Sequence, residues 1–206
     1  MHNPPSPPLS LRPPVRPRWR PPQPKAAWAP LILNATTNAA GCVQAHHNPD
    51  VPCDGNDGPR CQSEDCLNLN VFCPAANLAA PAGKLQLVPT LLFIHGGAFD
   101  EGSNRGAFNM YDGAYMAATG GVCVVASNYR LGVLGSLVVG SEGSDGRGNH
   151  NLRDQRAAME WIQREIHNFG GDNRSVTIAG ESAGAMSVLL HLVSPPSQGL
   201  FHRAIM

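Results

Sequence analysis

The chain has 206 residues, 42% of them hydrophobic, and Lys plus Arg equal Asp plus Glu at 15 each. That length can bury the core of one ordinary globular domain, and the charge balance leaves no global field to draw in nucleic acid or an anionic membrane surface. The longest apolar runs, such as "GVCVVA" and "VPTLLFI", fall far short of the roughly 20 residues of a membrane-spanning helix, so no membrane span is expected.

Residues 1–27 form a Pro/Arg-rich segment, with Arg12, Arg16, Arg18, Arg20 and Lys25 set among the prolines, and read as extended or irregular chain. The opening "MHNPPSPPLSLRPP" lacks the apolar stretch of a secretory signal, because prolines interrupt it every few residues. Either the protein is not secreted or its true start lies upstream. Cysteine usage pulls the other way. Cys42, Cys53, Cys61 and Cys66 crowd into a stretch rich in Asn, Asp, Gly and Pro. Two disulfides there would suit an oxidising compartment; four free thiols would suit a cytosolic loop. Asn34-Ala35-Thr36 and Asn173-Arg174-Ser175 fit the glycosylation sequon, a pattern short enough to recur by chance.

From Leu67 onward, short apolar runs alternate with Gly-rich loops and helical patterns, the texture of an α/β domain. "LNLNVFC" (67–73) alternates apolar and polar residues and predicts a strand with one face buried. "VPTLLFIHG" (88–96) is a continuous apolar run ending in glycine, as in a central strand covered on both faces, and "VCVVASNYR" (122–130) is a second. Between them "MYDGAYMAATG" predicts a short helix across 112–119. In "NLRDQRAAMEWIQREIHNFGG" the apolar Ala158, Trp161, Ile162, Ile166 and Phe169 recur at helical spacing, and Gly170 and Gly171 stop the helix. "SVTIAG" (175–180) predicts a third central strand, followed at once by the helical "SAGAMSVLLHLVS".

Strand, glycine turn and helix therefore meet at Gly180-Glu181-Ser182-Ala183-Gly184, which fits the G-x-S-x-G nucleophile elbow in the context that motif requires. The serine of such a turn takes a strained backbone conformation, so the residues two positions either side must be small. Gly180 and Gly184 meet that need. The helix N-terminus behind Ser182 offers unpaired N–H groups to developing negative charge. A second motif, "FIHGGAF" (93–99), sets Gly96 and Gly97 just past another central strand, the form of the other half of an oxyanion hole. Backbone donors from Gly96, Gly97 and Ala183 would together hold the anion of a tetrahedral intermediate, while His95 reads as structural.

Several blocks together resemble the type-B carboxylesterases, the cholinesterase-like branch of the α/β-hydrolases. They are "SEDCLNLNVF" (63–72), "LLFIHGGAF", "SNYRLGVLGSL" (127–137), "GNHNLRDQRAAMEWIQREIHNFGGD" (148–172), "SVTIAGESAGAMSVLLHLVSP" and "GLFHRAIM" (199–206). The resemblance covers about 28–206, and more weakly 18–28. It implies an α/β-hydrolase fold, a central mostly parallel sheet with flanking helices, incomplete in this chain. It also implies serine hydrolysis of carboxylic esters through an acyl-enzyme, with no cofactor and no metal. On that reading Ser182 is the nucleophile, Gly96, Gly97 and Ala183 are the oxyanion donors, and Glu181 precedes the nucleophile. A Cys42–Cys66 disulfide is implied, as are ion pairs of Arg18 with Glu64 and Arg130 with Asp154. Secretion or residence in the ER lumen follows from the same likeness.

The chain also departs from that pattern. The resemblance places the triad's acid and histidine far downstream of the serine, yet the sequence reads to Met206 with no Asp or Glu after Ser182. His191, nine residues on, lies about 13 Å along the same helix and cannot reach back. His202 falls in the next predicted strand, and His46, His47, His150 and His167 have no spacing that makes them a base. The expectation is an N-terminal part of an esterase, with the triad acid and histidine absent from it and activity doubtful without them. No tryptophan stands between Cys42 and Cys66, which argues against a choline ester and for a small or medium uncharged one. The extra Cys53 and Cys61 either close a second small loop or stay unpaired. The alternative reading is a non-catalytic, cholinesterase-like adhesion or interaction domain, whose members often lose the elbow serine.

Overall fold

The computed structural model describes residues 18–24, 35, 39–44, 62–75, 86–106, 109–141 and 146–206. Cys53, Cys61, His46, His47, Asn34 and most of the Pro/Arg-rich segment lie outside the described residues.

Two short strands, β1 (Gly41–Cys42) and β2 (Gln62–Ser63), pair in parallel. The main sheet then takes β3 (Leu69–Phe72), β4 (Val88–Ile94), β5 (Cys123–Ser127), β6 (Gly171–Gly180) and β7 (Arg203–Ile205). Its spatial order is β3-β5-β4-β6-β7, with β3 antiparallel to β5 and all other neighbours parallel. The continuous apolar runs thus became the interior strands, since a parallel strand buried on both faces has no use for alternation. β5 is buried at all five positions.

Among the described residues four helices stand between the strands: α1 (Ala114–Gly120), α2 (Gly132–Ser136), α3 (His150–Glu165) and α4 (Ala183–Val193). Gly113, just before α1, packs against Val124 of β5, whose side chain alternates with that of Val125. Val125 instead joins the core with Leu92, Ile94, Val176 and Ile178 of the sheet, Ala158, Met159 and Ile162 of α3, and Val188 of α4. α1 therefore covers one face of the sheet and α3 and α4 the other. The helical periodicity picked out the buried face of α3 at Ala158 and Ile162, but the α-helix ends at Glu165 and a 3-10 turn carries the buried Ile166 to an exposed Phe169 before Gly170 ends the run at φ 87°, a left-handed conformation that costs glycine little.

Three expectations need adjustment. β6 starts at Gly171, not residue 175, because its register against β4 jumps between Pro89 and Thr90 and takes up the extra residues. β3 has no cleanly buried face: all four residues are half-buried, as suits a sheet edge, though Leu69 and Val71 do pack on the core. His202 stands just before β7, where its N–H donates to the Val176 carbonyl at 2.8 Å and its Nδ1 accepts the Val176 N–H at 3.1 Å. The imidazole thus extends the pairing of β6 in a structural role.

Among the described residues two disulfides form. Cys42–Cys66 has an S–S distance of 2.04 Å and matches the pairing that the resemblance implied. Cys73–Cys123 was not anticipated. Its origin is the antiparallel register, which sets Phe72 opposite Val124 and hence Cys73 opposite Cys123. Both ion pairs are present. Arg18 Nε donates to Glu64 at 2.8 Å in the open, where the hydrogen bond from Arg18 holds the Glu64 carboxyl below its usual range. Arg130 grips the fully buried Asp154 through Nε and Nη2, each at 2.7 Å. Of the two sequons, Asn173 lies half-buried in β6 and donates its side-chain amide to the Gln163 carbonyl at 2.8 Å, so it is tied to α3.

Candidate active site

The register of the sheet sets the site. Ile94, the last residue of β4, lies opposite Gly180, the last residue of β6, so the "HGG" loop and the Ser182 turn leave the sheet side by side. Chain segments that emerge together at the carboxyl ends of parallel strands are where ligands of open α/β sheets bind.

Ser182 joins β6 to α4 at φ 54° and ψ −119°. A serine held there is strained by roughly 1–3 kcal/mol, which the surrounding packing must offset. The glycines make that packing possible. A β-carbon on Gly180 would overlap the Gly184 carbonyl and stand 2.8 Å from the Ala185 nitrogen. One on Gly184 would overlap the Ile94 carbonyl oxygen and stand 3.0 Å from that of His95. α4 can therefore lie against the end of β4 only with glycine at 184. The result is an exposed Ser182 whose side chain makes no hydrogen bond to any described residue.

Gly96 lies against the same turn. A β-carbon there would stand 2.6 Å from Glu181 Oε2 and 3.1 Å from Ser182 Cβ, so the Gly96 backbone comes as close to the serine as glycine permits. Gly97 follows at φ 99°, its carbonyl accepting the N–H groups of Asp100 at 2.9 Å and Glu101 at 3.0 Å. That turn reverses the chain just past the site. The backbone N–H groups of Gly96 and Gly97 make no hydrogen bond among the described residues, and Ala183 opens α4, where the first N–H groups have no helical partner. Ala183 is fully buried, and Glu181 is exposed beside Gly96. The structure thus brings together Gly96, Gly97, Glu181, Ser182 and Ala183, while Cys42 and Cys66 stand apart as scaffold.

His95, His191 and His150 are all buried. His95 is 1% exposed, its Nδ1 lies 2.8 Å from the Gly96 carbonyl, and its ring stacks on Tyr129 with centroids 4.2 Å apart. Burial lowers its pKa to about 4, so it is neutral near pH 7. His191 is sealed in a network: its Nε2 lies 2.9 Å from Gln155 Oε1 and its Nδ1 2.9 Å from Ser197 Oγ. Gln155 donates to Ser187 at 3.1 Å, and Ser187 donates to the Ala183 carbonyl at 2.9 Å. Burial, with Arg156 nearby, lowers the His191 pKa to about 4. His150 is fully buried, with its pKa likewise lowered to about 4 by burial and then by Arg130 and Arg153.

Two positioning residues had no signal in the sequence reading. Tyr129, fully buried, donates its hydroxyl to the His95 carbonyl at 2.8 Å and so fixes the peptide that leads into Gly96. Gln44 pairs its amide with both backbone groups of Gly102, at 3.1 Å and 3.0 Å, tying the far side of the glycine loop to the strand next to the Cys42 disulfide. Tyr129 stood in the quoted block "SNYRLGVLGSL", but nothing local marks a tyrosine as a carbonyl's partner.

The model of the Carboxylesterase family matches residues 12–206. The chain is 43% identical over 208 residues to a cocaine esterase of Oryctolagus cuniculus, covering 95% of this chain and 35% of that protein. It is 39% identical over 225 residues to a neuroligin-2 of Mus musculus, covering 97% of this chain and 26% of that one. Among solved structures, a thermophylic PNB esterase superposes with a TM-score of 0.78 at 39% identity, over 92% of this chain and 36% of that chain. The chain thus spans about a third or less of the length of these relatives, and its sheet is the matching part of their α/β-hydrolase fold. A chain matched from residue 12 to 206, with its glycine loop and serine turn side by side at one end of the sheet, belongs to the carboxylesterase family.

Proposed function

We propose that the chain carries the nucleophile and oxyanion hole of a serine carboxylesterase acting on small or medium uncharged esters. The observation that supports this most is Ser182 at φ 54° in the strand-to-helix turn, with the Gly96 backbone packed against it. Strain of that kind persists where the surroundings hold it, and such positions cluster at active sites. In the proposed reaction Ser182 Oγ attacks the ester carbonyl carbon while a base takes its proton, and the carbonyl oxygen becomes an anion. The N–H groups of Gly96, Gly97 and Ala183 hold that anion, each worth about 3–4 kcal/mol of transition-state stabilisation. The intermediate collapses, the C–O bond breaks, and the alcohol leaves with the proton. Water then cleaves the acyl-serine, releasing the acid and restoring the hydroxyl.

The base and its acid come from outside the described residues. A histidine for the purpose must be neutral, mobile enough to exchange a proton, and within hydrogen-bond reach of Ser182. His95, His150 and His191 are buried, and His202 is bonded to β6. No metal or organic cofactor enters the proposed route. The Cys42–Cys66 and Cys73–Cys123 disulfides fit an oxidising compartment and hence an extracellular or secretory setting.

The similarity to a neuroligin-2 supports a second reading, a non-catalytic interaction domain. The intact glycine–serine turn favours the hydrolase. Incubated with a fluorophosphonate, this chain should label slowly at Ser182, at the rate of an unassisted hydroxyl. Rapid stoichiometric labelling would mean that a base is already in place among these residues, and labelling confined to other residues would remove Ser182 from its proposed role.

A further inference from the structure

We infer that Asn104 and Gln44 are positioning residues for the Gly96–Gly97 loop, and that through them the order of that loop depends on the Cys42–Cys66 disulfide. The proposed oxyanion donors are then held in place only while that disulfide is closed. The inference deepens the role proposed for Gly96 and Gly97 and rests on it, and its test reads the loop itself as well as Ser182.

The loop needs a hold from outside. From His95 to Gly106 the described chain forms neither helix nor strand. Within it Ala98 and Phe99 stand at φ 54° and 64°, two successive residues with side chains in the left-handed region. Each such residue costs roughly 1–3 kcal/mol and persists only where its surroundings over-determine it. The turn that closes on the Gly97 carbonyl lies within the loop, so it cannot fix where the loop stands relative to Ser182.

The far side of the loop is held at two points. At Gly102, bracketed by the Gln44 amide, a β-carbon would stand 2.6 Å from His95 Nδ1 and 2.9 Å from the Gly96 carbonyl oxygen, so Gln44 keeps this peptide against the residues that lead into the site. Gln44 is itself fixed: its N–H donates to Gln62 Oε1 at 3.1 Å, and its Nε2 also donates to the Cys42 carbonyl at 3.0 Å. At the second point Asn104, buried, donates its N–H to Asn128 Oδ1 at 2.7 Å and its Nδ2 to Asn68 Oδ1 at 3.0 Å.

Both asparagine partners turn to the same two carbonyls. Asn68 Nδ2 donates to Ala40 at 2.8 Å and to Cys66 at 2.9 Å, and Asn128 Nδ2 donates to Cys66 at 3.1 Å and to Ala40 at 3.3 Å. Ala40 and Cys66 belong to segments joined by the two-residue pairing of β1 with β2 and by the Cys42–Cys66 bond. With the disulfide closed, the two carbonyls form one acceptor pair that orients both amides toward Asn104. With it open, their spacing is no longer fixed, and a buried donor left without its acceptor costs about 1–3 kcal/mol. Because the three asparagines form one network, the loss at the carbonyls is passed on to Asn104 and the loop.

The test compares the full 206-residue chain with Cys42→Ala/Cys66→Ala, Asn104→Ala, Gln44→Met and, as control, Cys73→Ser/Cys123→Ala. The readout is hydrogen exchange at the Asp100 and Glu101 amides, which bond to the Gly97 carbonyl and to none of the substituted residues. Slow exchange at Met159 and Ile162 of α3 reports that each variant is folded. Exchange at Asp100 and Glu101 should quicken at least about tenfold in the first three variants and stay at the parent rate in the control. Phosphonylation of Ser182 by a fluorophosphonate should slow by about tenfold in the same three, since a donor out of place no longer stabilises the developing anion. Unchanged exchange in Cys42→Ala/Cys66→Ala, an equal effect in the control, or quickened exchange with an unchanged Ser182 rate would overturn the inference. A parent chain that never labels at Ser182 would remove the proposed nucleophile, and the exchange rates would still decide whether the loop depends on the disulfide.

Discussion

Gly184→Ala sets two effects of opposite sign against each other. Inside a helix, alanine is favoured over glycine by about 1 kcal/mol. At 184, however, the added β-carbon would overlap the Ile94 carbonyl oxygen and press on the Ile94 carbon at 2.9 Å and the His95 oxygen at 3.0 Å. All three are backbone atoms at the end of a central strand, so no rotamer change relieves the clash, and overpacking of this kind costs about 3 kcal/mol or more. The net expectation is a loss of at least about 2 kcal/mol, or roughly 1 M in urea midpoint for a typical m-value. Gly120→Ala is the matched control. It lies in α1, and its added carbon would meet only Val122 and Met116 side chains at 3.7 Å and 3.8 Å, ordinary contacts. It should gain up to about 1 kcal/mol. The assay is urea unfolding of both variants followed by tryptophan fluorescence. A Gly184→Ala chain as stable as the parent would refute the claim that α4 is wedged against β4 at the serine turn.

Other expectations follow from the scaffold. Removing the unanticipated disulfide in Cys73→Ser/Cys123→Ala should cost up to about 4 kcal/mol by the loop-entropy estimate for a separation of 50 residues; an unchanged urea midpoint would count against it. Asp154→Ala leaves Arg130 without its buried partner and should cost about 3–5 kcal/mol, whereas Glu64→Ala, at an exposed pair, should change the midpoint little. Equal losses in the two variants would contradict the burial difference. His95 and His191 have folded pKa values of about 4 against an ordinary 6.5, so the unfolded chain takes up their protons first as pH falls. Their contribution is therefore full above about pH 6.5 and is lost between there and pH 4, up to about 3 kcal/mol for each. Urea midpoints at pH 7.5 and 5 should differ accordingly, and His191→Gln should flatten the dependence.

The interior of the fold was legible because parallel strands announce themselves. "VPTLLFI", "CVVAS" and the end of the strand before Ser182, "VTIAG", are mostly apolar, and the motifs they end in need little else to place them. The edges were less legible. β3 alternates in sequence, but its exposure depends on having one neighbour, and the early start of β6 depends on a register jump against Pro89 and Thr90 that no local pattern encodes. Within the candidate site, glycine spacing revealed the chain path, since Gly96, Gly180 and Gly184 are required by close backbone approach. Tyr129, Gln44 and the Cys73–Cys123 pair stayed hidden, because each acts across a long sequence separation and is specified only when strands have found their partners.

The most direct test of Ser182 as a nucleophile awaiting its base is its phosphonylation rate, mapped by mass spectrometry, with and without the complementary portion of the thermophylic PNB esterase. A positioned general base contributes about 10²–10⁴-fold. The expected result is slow labelling of the chain alone, an acceleration of at least about 100-fold at Ser182 once the complement is bound, and no labelling in Ser182→Ala. A bound complement with the Ser182 rate unchanged, or acceleration at any other residue, would contradict it.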